Sequence, residues 1–258
     1  MNLEVVYRRD RAIVLAAVLA VTGLAWVYMY QMAPSSVSAL DGSFCIAPLD
    51  TAWTPGNLLV AFVMWVVMMI GMMIPTASPM IVMFATTNRR YRRDQGPFVP
   101  TAIFVAGYVI VWAGYGVAAT LAQWSLHSAS LLAPDELRAT PAIGGLLFIV
   151  AGLFQWSALK RNCLRHCRTP LSFLMTEWRE GARGALFMGL RHGTYCAGCC
   201  WAIMALMFVA GAMNLLWTAV LAAFMLIEKV APARYRIEDL AGVSFLAAGT
   251  GMVLSATA

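Results

Sequence analysis

Long apolar stretches separated by short basic segments organise this chain. Uninterrupted apolar runs fall at about 12–30, 58–85, 98–123, 142–159 and 239–257, and one further run extends from Tyr195 to Val230 with no charge before Glu228. A hydrocarbon core about 30 Å thick is crossed by roughly 20 helical residues, so each of the first five runs predicts one membrane-crossing helix. The run from Tyr195 is too long for one crossing at about 1.5 Å per residue, and Gly211-Ala-Met-Asn214 offers a place to break it into two short helices. The pattern predicts an all-α, polytopic transmembrane helix bundle of about seven spans, forming one helical domain over residues 1–258.

Composition supports that class. Hydrophobic residues make up 61% of the chain and charged residues 12%, with a mean hydropathy of +0.74, against roughly 25% charged residues in soluble domains. Lysines and arginines in short loops stay on the cytoplasmic side, and here 17 of 18 fall on one side of the predicted bundle, with Arg138 the exception. The opposite loops carry Asp41, Asp50, Asp135 and Glu136. This places the N-terminus in the cytoplasm and the C-terminus outside. The net charge of +6 then calls for no nucleic acid as partner, because a bilayer with anionic lipid at its inner face matches the same asymmetry. The first run exceeds the 7–15 apolar residues of a usual signal peptide and predicts an uncleaved anchor. Gly107, Gly114 and Gly116 in the third span, and Gly144, Gly145 and Gly152 in the fourth, predict close helix–helix packing.

Topology sorts the cysteines. Cys163 and Cys167 fall in the inner loop after span four, Cys196, Cys199 and Cys200 at the inner end of span five, and Cys45 alone outside. Five thiols facing a reducing compartment exclude structural disulfides as the expectation and leave metal binding, redox turnover or plain burial. In the stretch His192-Gly-Thr-Tyr-Cys196-Ala-Gly-Cys199-Cys200, helical spacing puts the imidazole and thiols on one face. Cys163 and Cys167 are four apart, with His166 and several arginines beside them; such arginines favour the thiolate that binds metal or attacks a disulfide. Neither group has a standard zinc spacing, but two half-sites, each short of four ligands, can complete one another. The bland alternative is that these small polarizable residues fill a crowded helix interface.

Two further features extend the chemistry. Span two carries Met64, Met68 and Met72 as one stripe at i, i+4, i+8, together with Met69, Met73, Met80 and Met83. Thioethers ligate Cu(I), so Met68 and Met72 are candidate ligands along a path through the bundle, although methionine is also an adaptable core filler. Pro75 and Pro79 predict a kink or break in that helix, as tolerated where backbone faces a bundle interior. Glu228 is the acidic residue inside the predicted spans, near the inner end of span six, and reads either as an oxygen ligand or proton acceptor beside the thiols or as the partner of an interfacial arginine.

These elements resemble a family of bacterial integral membrane proteins described as predicted metal-binding membrane proteins. The shared elements are Trp65-x2-Met68-Met69-x2-Met72-Met73-x-Pro75, then Lys160-x2-Cys163-x3-Cys167-Arg168-x-Pro170, then Gly193-x2-Cys196-x-Gly198-Cys199-Cys200-Trp201, continuing to Gly211-x-Met213-Asn214 and Glu228-Lys229. The resemblance spans about residues 58–230 and implies a multi-pass inner-membrane protein with a metal site.

The expected function is binding of a transition metal, with Cu(I) or another thiophilic ion favoured, at a cytoplasm-side site of Cys163, Cys167, His192, Cys196, Cys199, Cys200 and Glu228 with Met68 and Met72. It serves metal handling or delivery, with a soluble metal-carrying protein as possible partner, and no enzymatic turnover is required. Two rivals are a membrane thiol oxidoreductase, in which Cys196 and Cys199 exchange electrons with Cys163 and Cys167, and a structural subunit in which the cysteines only pack.

Overall fold

The computed structural model describes residues 3–32, 53–91, 97–132, 139–211, 214–232 and 235–257. Cys45, Met213 and the acidic residues of the predicted outer loops lie outside these. The described chain is helical: α1 (Leu3–Met32), α2 (Pro55–Tyr91), α3 (Phe98–Ser128), α4 (Pro141–Gln155), α5 (Ala158–Arg168), α6 (Pro170–Glu177), α7 (Gly181–Met204), α8 (Met207–Ala210), α9 (Leu215–Val230) and α10 (Ile237–Thr257).

Among the described residues the all-helical prediction holds, and five helices are long and apolar enough to cross a membrane: those covering Val6–Met32, Pro55–Arg90, Phe98–Ser128, Gly181–Val209 and Ile237–Ala256. A sixth candidate forms if α4 and α5 count as one span, although they meet at a 67° bend. The bend has local causes. Trp156 ends α4, and the Ser157 side chain caps α5 by accepting from the Lys160 amide at 3.1 Å, a standard N-terminal satisfaction of orphan amides. The expected break near Gly211 is present. Gly211 adopts φ +91°, a conformation costly for residues with a Cβ, and Asn214 caps α9 by accepting from the Trp217 amide at 3.0 Å. The resulting α9 has 16 residues, about 24 Å of helix.

Two boundaries differ from the sequence reading. Helix α7 begins at Gly181, well before the charge-free run at Tyr195, because Arg191 within it pairs with Glu177 at 3.0 Å and lies over the Tyr195 ring. The thiols of Cys196, Cys199 and Cys200 therefore sit near the middle of Gly181–Val209 and not at its mouth. Helix α2 also runs unbroken through Pro75 and Pro79. Proline at position 75 removes the amide that would serve the Gly71 carbonyl, and the Trp26 indole of α1 donates to that oxygen at 3.3 Å.

Helix α3 packs along α7 and also against α2, α10 packs along α4, and α5 lies against α7 and α9. One continuous apolar core joins them, with Met64, Met68, Met69, Met72 and Met73 of α2 all buried in it. The α3–α7 contact is backbone on backbone: a Cβ added at Gly189 would lie 2.0 Å from the Phe104 carbonyl oxygen. Of the glycines read as packing sites, Gly114 instead faces open space. Gly189→Ala is accordingly expected to lower Tm by about 5 °C or more, in the range of overpacked cores, while Gly114→Ala leaves it unchanged. Thermal unfolding of the two purified variants checks the contrast, and an equal response would refute the tight α3–α7 contact.

Candidate functional site

Helical spacing on α7 puts His192, Cys196, Cys199 and Cys200 on one buried face. The thiols of Cys199 and Cys200 donate to the Cys196 carbonyl, at 3.1 and 2.9 Å, the local back-bonding available to a short polar side chain within a helix. Cys196 itself faces three other helices. Its sulfur lies 3.0 Å from the Tyr108 hydroxyl of α3 and accepts from the Lys229 ammonium of α9 at 3.0 Å. The same ammonium donates to the Thr76 hydroxyl of α2 at 2.8 Å.

Helix α5 brings in the second cysteine pair. The 67° bend turns α5 across α7, which brings Cys167 near Cys196 and Cys199. Cys163 packs against Gly198, where an added Cβ would meet its sulfur at 2.7 Å. The two groups separated in sequence are thus brought together where α5 packs on α7. All five of these cysteines are free thiols.

The remaining predicted residues are placed as follows. His192 is boxed by Phe104, Tyr108 and Phe173, with ring centroids 5.5–6.1 Å away, and its buried Nδ1 has no hydrogen-bond partner. His166 turns away, its Nδ1 donating to the Asn162 carbonyl at 2.8 Å and its ring stacking on Tyr195 at 4.1 Å. Glu228 is committed elsewhere: Lys160 Nζ lies 2.8 Å from both of its carboxylate oxygens, and Arg168 donates twice to its backbone carbonyl at 2.7 and 2.9 Å. Met68 and Met72 are buried in the core, but the thioether placed beside the site is that of Met73, 4.0 Å from the Thr76 hydroxyl, with its carbonyl accepting from Tyr108 at 3.1 Å.

Sequence reasoning missed Tyr108, Thr76, Lys160 and Lys229. The signal for Lys229 was its place next to Glu228 at the end of an apolar run, which counted it among the loop cations although it is buried.

Chemically this is a soft-donor site. Thiols and a nearby thioether suit Cu(I) and other thiophilic ions, and an orphaned imidazole nitrogen adds a borderline donor. Among the described residues, however, no group of three or more His, Cys, Asp or Glu side chains stands ready-arranged around an ion position. The donor chemistry fits such an ion, and holding one requires the Cys199 and Cys200 thiols to leave the Cys196 carbonyl.

Fold and site together define an all-helical protein, rich in helices apolar enough to span a membrane, with thiols gathered in its core. The chain belongs to the copper chaperone family PpoB2, whose model matches residues 62–252. The match covers every site residue above and points to copper or metal handling. No curated protein and no solved structure is significantly similar to the chain.

Proposed function

We propose that the chain is a multi-pass protein of the bacterial inner membrane that binds a thiophilic ion, Cu(I) first, between α5 and α7 and passes it to a partner. In this reading the N-terminus is cytoplasmic and α4 and α9 complete seven spans. Cys167 and Cys196 are the two thiolate donors, Cys163, Cys199, Cys200 and His192 supplement them as neutral groups, and the buried thioethers of Met68, Met72 and Met73 line the approach along α2. Glu228 anchors α9 to α5 through Lys160 and is not a ligand. The observation that carries the reading is the packing of α5 on α7, which sets the Cys163 sulfur against Gly198 and brings Cys167 near Cys196 and Cys199, and membership of a copper chaperone family supports the choice of ion.

Protein purified anaerobically and exposed to Cu(I) should retain the ion through desalting, and the combined Cys196, Cys199 and Cys200 to Ser variant should not. Metal analysis of both decides, and copper at background in the parent protein would sink the proposal.

A second reading is favoured by the same contact: a reversible disulfide between Cys167 and Cys196 or Cys199, with Lys229 supplying countercharge to a thiolate. Mass tagging of free thiols after oxidation and reduction separates the two, since a carrier that only binds metal shows no reversible change in thiol number.

A further inference from the structure

Lys229 is the least expected group in the site. Its ammonium is buried, with the residue only 8% exposed, and donates to Cys196 Sγ and Thr76 Oγ1. The neighbouring carboxylate cannot balance it, because Glu228 is matched with Lys160 at 2.8 Å. Among the described residues no carboxylate forms an ion pair with Lys229, so the acidic group left in contact with its charge is the Cys196 sulfur. A lysine so enclosed cannot extend its head to water as an interfacial lysine does, and a buried unbalanced charge is strongly unfavourable.

We propose that Lys229 determines the charge of the ion this site accepts, making it selective for monovalent over divalent thiophilic cations. The inference rests on the metal-binding reading above. Two thiolates holding a monovalent ion carry one net negative charge, which the Lys229 ammonium neutralises. The same two thiolates holding a divalent ion are neutral, and the ammonium then stands uncompensated in an apolar core. Between unit charges a few ångström apart inside a protein this difference amounts to a large factor in affinity. Ligand softness alone does not make this distinction, since thiolates bind both kinds of ion well.

Ag(I) and Cd(II) test the charge while keeping the ligand preference soft in both. The purified full chain is titrated with each ion under anaerobic conditions, as parent, Lys229→Met and Lys229→Arg. The parent should favour Ag(I), Lys229→Met should reduce the Ag(I)-to-Cd(II) affinity ratio on the order of a hundredfold, and Lys229→Arg, which keeps the charge, should retain most of the preference. Equal binding of the two ions by the parent, or the same ratio in parent and Lys229→Met, would overturn the inference while leaving metal binding intact. Failure of the parent to bind either ion would remove the metal reading itself, and this inference with it.

Discussion

Replacing Glu228 by alanine is expected to destabilise the protein by about 3–5 kcal/mol, the usual result of removing one partner from a buried ion pair. Lys160 and Glu228 are 0% and 1% exposed, so the variant leaves an ammonium enclosed without a counter-ion. The loss should appear as a fall in Tm on the order of 10 °C. Pairing the change with Lys160→Met removes both charges together, and Lys160→Met/Glu228→Leu should regain most of that stability, because a hydrophobic pair of similar volume often replaces a buried ion pair at little loss. The double variant also separates two roles for Glu228. If the carboxylate only anchors α9 to α5, copper retention survives in the double variant. Loss of copper at restored stability would make Glu228 a ligand.

Cys167→Ser is expected to have the largest effect on metal affinity of any single change on α5, a reduction of at least about a hundredfold, at the upper end of what even indirect disturbance of a metal site produces. The reason lies in the arrangement around it. The Cys199 and Cys200 thiols donate to the Cys196 carbonyl within their own helix, whereas Cys167 comes from α5 to lie near both Cys196 and Cys199. Cys163→Ser should matter less, since that sulfur faces the backbone at Gly198. Competition with a chromophoric Cu(I) chelator measures both variants, and equal losses would mean that the two cysteines act alike.

Much of the architecture was legible in the pattern of apolar runs. Helices α1, α2, α3 and α10 lie where those runs predict, and the break at Gly211 follows from residues that do not continue a helix. Hydropathy failed where charged side chains find partners. Arg191 reads as a loop residue, yet its contacts with Glu177 and Tyr195 let α7 continue through it. Lys160 and Lys229 read as markers of the cytoplasmic side, yet one is buried against a carboxylate and the other against sulfur. Counting charges cannot distinguish a cation in a loop from one compensated in a core.

The candidate site was legible as a list of residue types and not as a geometry. Spacing placed His192, Cys196, Cys199 and Cys200 on one face, and they share it. Whether Cys163 and Cys167 meet that face depends on the direction of α5, which the bend after Gln155 sets and no periodicity within α5 reports. The methionine stripe was similarly incomplete: Met68 and Met72 are buried along α2, but it is Met73, off the stripe, whose carbonyl accepts from Thr76 and Tyr108, the residues that also contact Lys229 and Cys196.

The central claim is that sulfurs of α5 and α7 hold one ion, and X-ray absorption of the Cu(I)-loaded protein addresses it most directly. The parent should show a first shell of sulfur at roughly 2.3 Å, the length of a metal–thiolate bond, and Cys167→Ser should lose one sulfur from that shell. A shell of nitrogen and oxygen alone, or a sulfur number unchanged in Cys167→Ser, would contradict the account.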